Sequence, residues 1–273
     1  MSPWIAACIA LFVWWFSTGA ILMAVKYADN RGPAARNKAT WAALPLVVFG
    51  GVGLWVSLGD ASIFGVYVGF LAALALWGWI ELAFLTGVIT GPNTFDLPDR
   101  VSEGERFLRA WGTIAHHEML LLLTLTLVVM LSWGAQNTFG MWTFVILYTA
   151  RISAKLNLYF GVPKVQIDFL PNALSHLPSH FRIQPISWFF PVSITLLSLA
   201  IGCWLERLYS AQTAGEITGY ALLTALTGLA LFEHWMMVVP IPDERLWRWM
   251  LPETTSAPKP RNSKDIKGGQ HGL

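Results

Sequence analysis

Seven apolar stretches of about 20 residues each decide what this chain can fold into, because that length crosses the hydrocarbon core of a bilayer as a helix. They cover roughly residues 3–25, 40–58, 62–89, 109–132, 139–161, 187–206 and 217–240. Inside hydrocarbon every backbone N–H and C=O must find an internal partner, so each run is expected to be helical. The composition agrees: 55% of residues are hydrophobic and 12% charged, with a mean hydropathy of +0.53. A soluble domain carries about twice that charged fraction. The expected fold is therefore all-α, a polytopic membrane bundle of about seven transmembrane helices. The first run has neither a basic leader nor a small-residue cleavage site, and reads as a retained helix.

The basic residues orient the bundle. Lys26, Arg31, Arg36 and Lys38 follow the first run, and Arg100, Arg106 and Arg109 lie between the third and fourth. Arg151, Lys155, Lys164 and Arg182 belong to the end of the fifth and the loop after it. Arg245, Arg248, Lys259, Arg261, Lys264 and Lys267 follow the seventh. Of the 18 basic residues only Arg207 falls on the other side. The positive-inside rule then predicts an outside N-terminus and a cytoplasmic C-terminus. The turns at "GDAS", "GAQNT" and "SAQTAGE" are too short to form a domain, so contacts with water-soluble partners are expected on the cytoplasmic face. Residues 1–253 read as the transmembrane domain. Residues 254–273, rich in Pro, Gly and Lys, read as a disordered cytoplasmic tail. Ser102 with Glu105 three residues on is a capping-box pattern that starts a helix leading into the fourth run. A net charge of +2 excludes nucleic acid as an expected partner. Cys8 and Cys203 both lie in apolar runs, which speaks against a disulfide framework.

Within "GTIAHHEMLLLLTLTLVVM" the triplet His116, His117 and Glu118 sits inside a membrane run. At 1.5 Å per residue it lies about 10–13 Å from the cytoplasmic entry. Glu81 in the third run, Arg151, Lys155 and Asn157 in the fifth, and Glu233 and His234 in the seventh fall in the same half of the bilayer. Ionisable groups in hydrocarbon are costly unless paired, so a shared depth predicts one polar cluster between helices. Three carboxyl groups face two cations, and one protonated carboxyl or one charged histidine balances the set as a salt network.

Two other readings stay open. The carboxylates and histidines resemble a metal ligand set, although consecutive residues diverge by about 100° around a helix, so at most two of the triplet aim at one centre. No helix carries Glu-x-x-His or His-x-x-x-His, and nearby cations repel a metal. A lone intramembrane histidine can also ligate the magnesium of a chlorin. His176 and His180 are spaced four apart, but Pro178 between them disfavours a helix, and they read as loop residues near the membrane surface.

The block "ARISAKLNLYFGVPKVQIDFLPNALSHLPSHFR", with "AHHE" and "FEHWMMVVPIPDERLWRW", resembles the photosynthetic complex assembly protein 2 family, the PuhE-type proteins of purple phototrophic bacteria. The resemblance reaches to about Thr254. It implies an inner (intracytoplasmic) membrane protein that helps build the reaction centre and core antenna and is linked to bacteriochlorophyll supply. It implies membrane lipid, pigment and reaction-centre or core-antenna subunits as partners, and no defined catalytic residues. The positions that match are His116, His117, Glu118, Arg151, Lys155, Asn157, Glu233 and His234; Glu81 rests on depth alone. A bacteriochlorophyll or a metal ion held by this cluster is the cofactor such a site would take. An assembly factor, which needs no turnover, is the first reading. A membrane enzyme, a metal-dependent oxidase or hydratase acting on a pigment or carotenoid precursor, is the second. A proton-using transporter is the third, disfavoured because no repeat symmetry is visible.

Overall fold

The computed structural model describes residues 2–165 and 170–239. They form eight α-helices: α1 Pro3–Asp29, α2 Pro33–Ala42, α3 Pro45–Ser57, α4 Ile63–Leu85, α5 Glu103–Leu131, α6 Phe139–Phe160, α7 Phe189–Ser210 and α8 Ala214–Met236. Prolines open α1, α2 and α3, where the missing N–H would have had no helical partner anyway. Pro45 also marks the break between α2 and α3, which together make one apolar stretch, Pro33–Ser57. Ser62 and Ser102 cap α4 and α5 by accepting the N–H of Gly65 and Glu105. The Ser102 half of the expected capping box is therefore present, while the Glu105 carboxylate pairs with Arg109 instead of closing the box. A full capping box opens α8, where Thr213 and Glu216 of "TAGE" cap each other reciprocally.

Among the described residues six helical stretches are long and apolar enough to cross a membrane: α1, α2–α3, α4, α5, α7 and α8. The seventh expected run is α6, a helix of 22 residues. It falls short on composition because it carries Arg151, Lys155 and Asn157. Its place in the bundle explains how it carries them: α6 packs against α4, α5, α7 and α8, so its polar face meets protein. The predicted tail and the basic residues from Arg245 onward lie outside the described residues.

The core lies where α4, α6 and α8 meet α1. Phe70, Leu74, Ile146, Leu147, Leu222 and Leu226 fill it, and a second cluster around Phe144, Leu121 and Ile80 joins α4, α5 and α6. Small residues let the backbones approach. A Cβ on Gly140 of α6 would come within 2.8 Å of the Gly69 carbonyl on α4, and one on Gly53 of α3 within 2.9 Å of Ala72 Cβ. Without a hydrophobic driving force between helices in lipid, such close contact is what holds them together. Outward-facing Trp4, Phe12, Phe16, Leu123 and Trp188 are exposed, as a lipid-facing surface requires.

The two ends of the bundle differ. At one end, three connections interlock. The Asp29 carboxylate pairs with Arg36 at 3.1 Å and accepts the N–H of Asn172 at 2.9 Å. Thr40 and Thr86 hydroxyls meet at 2.7 Å, and Ser179 Oγ accepts the N–H of Leu97 at 2.9 Å. The α6–α7 loop is closed at its base, where Gly161 (φ +124°) ends α6 and Val162 bridges to Ile183. At the other end the turns are short, tied by Asn137 to the backbone of Leu58 and Asp60.

Candidate functional site: two ion pairs beside an intramembrane cleft

Four neighbouring helices deliver the polar residues to one depth. On α6, Arg151 and Lys155 are one turn apart and share a face. Arg151 Nη2 lies 2.8 Å from Glu81 Oε2 on α4. Lys155 Nζ is in direct contact with Glu118 Oε1 on α5. His117 sits between the two pairs. Its Nε2 is 3.9 Å from Glu81 Oε1 and 3.9 Å from Glu118 Oε1. The ring is 0% exposed and packs on Phe84, with centroids 4.4 Å apart. The expected polar cluster is thus a run of alternating partners, Arg151–Glu81–His117–Glu118–Lys155, with two ion pairs, each matching one cation to one carboxylate.

The α4–α5 loop fixes the height of this cluster. The Thr90 carbonyl accepts the backbone N–H of His117 at 2.9 Å, and Asn93 donates its own N–H to the Gly112 carbonyl at 3.0 Å. Gly91 permits that approach: a Cβ there would lie 2.1 Å from the Gly112 carbonyl oxygen.

Not every expected member joins the cluster. His116 is exposed on the outer side of α5, as the 100° step from His117 requires. His234 is buried in α8. Its Nδ1 donates to the Ala230 carbonyl at 2.7 Å, which leaves Nε2 to accept from the Ser153 hydroxyl at 2.9 Å. Asn157 donates to the Ser153 carbonyl at 3.0 Å and to Ser193 Oγ at 2.9 Å. Both residues fasten α6, to α8 and to α7 respectively, and neither meets the ion pairs. Glu233 is the carboxyl left over. Among the described residues it has no hydrogen bond or ion pair at contact distance, and Arg151 is the cation that acts on it.

Glu233, Glu81 and Arg151 all line one cleft of about 400 Å³ between α1, α4, α6 and α8. Apart from the hydroxyls of Ser17 and Thr18 on α1, its other walls are apolar or aromatic, with Trp14 and Ile21 from α1, Trp77 from α4, Ile146 and Ala150 from α6, and Leu226 from α8. A mostly apolar pocket with a few convergent polar groups is the usual form of a small-molecule site. No local pattern in the sequence reveals this cleft, because its walls come from four helices.

Neither cofactor reading meets a matching arrangement in this geometry. Among the described residues no group of three or more His, Cys, Asp or Glu is arranged to hold a metal ion. A chlorin on His117 does not fit, because Phe84, Glu81 and Glu118 enclose the ring and leave no face for a macrocycle.

His176 and His180 lie between α6 and α7, as expected of loop residues, and both are buried within the protein. His180 ends the 3₁₀ turn Leu177–His180 and His176 directly precedes it; this turn and the 3₁₀ turn Asn172–Leu174 pack under Phe84. Burial holds both imidazoles below their ordinary pKa, partly opposed by Asp96. Arg106, which reads in the sequence only as a loop cation, is buried beneath this cap. It donates to the carbonyls of Tyr159 and His180 at 2.9 and 3.1 Å, and its guanidinium lies 4.1 Å from the Tyr159 ring centroid.

The architecture and the site define a helical membrane protein with an internal charge cluster and a lateral cleft. The chain belongs to the family described as "Protein of unknown function (DUF3623)", whose model matches residues 1–258. It is 50% identical, over 265 residues, to an uncharacterized 30.4 kDa protein in the puhA 5′ region of Rhodobacter capsulatus, covering 95% of this chain and 97% of that one. No solved structure matches.

Proposed function

We propose that this chain is a multi-pass inner-membrane assembly factor for the photosynthetic reaction centre and core antenna, linked to bacteriochlorophyll supply, as the photosynthetic complex assembly protein 2 resemblance implies. The relative encoded beside puhA supports a link to photosynthesis. The observation that carries the reading is the pairing inside the cluster. Glu81 and Glu118 are each held by a cation, and such carboxylates suit a rigid framework better than proton transfer during turnover. Beside them lies a cleft of a size to hold and release a small membrane-dissolved molecule, which suits an assembly role. An enzyme acting on a pigment or carotenoid precursor needs a free acid–base pair or a metal. In this reading the cluster is structural support, the cleft is the working site, and Glu233 is its polar contact. Deleting the gene should change the amount of assembled reaction centre and core antenna, read from the near-infrared absorption of membranes, while respiratory growth stays normal. Unaltered complexes in the deletion strain would contradict the assembly role.

The interlocked end of the bundle belongs on the cytoplasmic side in this reading, since among the described residues every Lys and Arg except Arg207 lies toward it. A reporter active only in the cytoplasm is expected to work when fused after Lys267 and to be silent at Asp60. The reverse pattern would invert the bundle and put the cleft's polar end near the other face.

A further inference from the structure

The cleft has a chemistry of its own, and it selects a ligand class. We infer that it binds a membrane-soluble molecule with a long apolar chain ending in a hydroxyl group, the hydroxyl lying between Glu233 and Arg151. This rests on the reading of the cleft as the working site. The walls favour an apolar body, since Trp14, Ile21, Trp77 and Leu226 offer it hydrocarbon and aromatic surface; of the wall hydroxyls on α1, Ser17 already donates to the Trp14 carbonyl at 3.1 Å, and Thr18 is the other. The polar end demands a group that both donates and accepts. Glu233 has no contact partner among the described residues and takes a donor. The Arg151 side chain lines the cleft and is 37% exposed, so its guanidinium N–H groups left over from the Glu81 pair can donate to an acceptor there. A hydroxyl satisfies both at once.

Charge narrows the choice further. Glu81 already matches the Arg151 charge at 2.8 Å, so an anionic end gains no net attraction there, and a charged Glu233 repels it. A carboxylate or phosphate end is therefore disfavoured. A cationic end would pair with Glu233 but meet Arg151 beside it. The neutral hydroxyl fits without either conflict. A straight-chain alcohol and an isoprenoid alcohol share this chemistry, and competition separates the two.

The test is photolabelling of the full-length protein in nanodiscs with diazirine-bearing hexadecanol, mapped by peptide mass spectrometry. Label is expected on the α1, α4 and α8 peptides that line the cleft, about tenfold more than with the diazirine-bearing hexadecanoic acid. Excess unlabelled geranylgeraniol or hexadecanol should compete, and the stronger competitor identifies the source. Glu233→Leu should lower the yield about tenfold, while Glu233→Gln retains most of it because the amide still donates and accepts. Gly78→Leu should abolish labelling by filling the cleft; among the described residues the only atom near a Cβ there is Ile21 Cδ1, at 3.4 Å. Ala150→Leu, from the opposite wall, serves the same purpose if Gly78→Leu accumulates poorly. Equal labelling by the acid, label spread outside the cleft, label unchanged by both filling variants, or no label on the folded protein would each overturn the inference. These outcomes concern binding alone. If complexes still fall in the deletion strain while no alcohol binds, the ligand is wrong and the assembly reading stands.

Discussion

Lys155→Ala is expected to remove most of the protein from the membrane fraction. The substitution leaves Glu118, 2% exposed at its side chain, as an unmatched charge among helices. Breaking a buried pair by removing one partner costs about 3–5 kcal/mol, a large part of the roughly 5–15 kcal/mol that holds a protein folded. Removing both charges should behave differently. Glu118→Gln with Lys155→Met eliminates the orphan and should restore accumulation close to the parent, since an apolar or neutral replacement of a whole buried pair is often tolerated. Immunoblots of membranes and unfolding midpoints in detergent measure both. The Arg151 side chain is 37% exposed, so Arg151→Ala should be milder than Lys155→Ala. A stable Lys155→Ala protein that carries more bound metal than the parent would instead mean that Glu118 and its neighbours are ligands.

The second large effect is expected at Gly91. Any Cβ there meets backbone: the Gly112 carbonyl oxygen at 2.1 Å, Thr113 C at 2.7 Å and Ile114 N at 2.8 Å. Backbone of a helix cannot swing aside as a side chain can, so Gly91→Val must push the α4–α5 loop off α5. Overpacking of this kind costs about 1–3 kcal/mol. The loop would also withdraw the Thr90 carbonyl from the N–H of His117, 2.9 Å away, and leave a buried donor unpaired. Gly104→Ala is the control, since nothing lies within 4 Å of a Cβ there and little change is expected. Thermal unfolding of the purified variants separates the two. Equal midpoints would mean that the loop does not support the cluster.

The bundle and the depth of its polar residues are legible in the sequence because both follow from fixed geometry. A helix rises 1.5 Å per residue, so distance from a basic loop is enough to place Glu81, Glu118 and Lys155 at one level. The same arithmetic, taken around the helix, puts His116 and His117 on different faces. What the arithmetic does not contain is the rotation of one helix against another. That rotation sends His234 and Asn157 to Ser153 and Ser193 instead of to the ion pairs. It also leaves Glu233 without a contact partner among the described residues, although its depth matches that of the others. Burial of Arg106 is equally hidden, because its partners are carbonyls of Tyr159 and His180, far away in the chain. Hydropathy understates α6 for a related reason: its charged residues make it the least apolar of the expected spans, yet they are why it lies at the centre.

The proposed role, assembly of photosynthetic complexes without conversion of a substrate, is decided by chromatography of pigment extracts from the deletion strain and its parent. An assembly role predicts the same set of compounds in both extracts, with only their amounts altered. One accumulating, chemically distinct precursor in the deletion strain would contradict it and make the protein an enzyme.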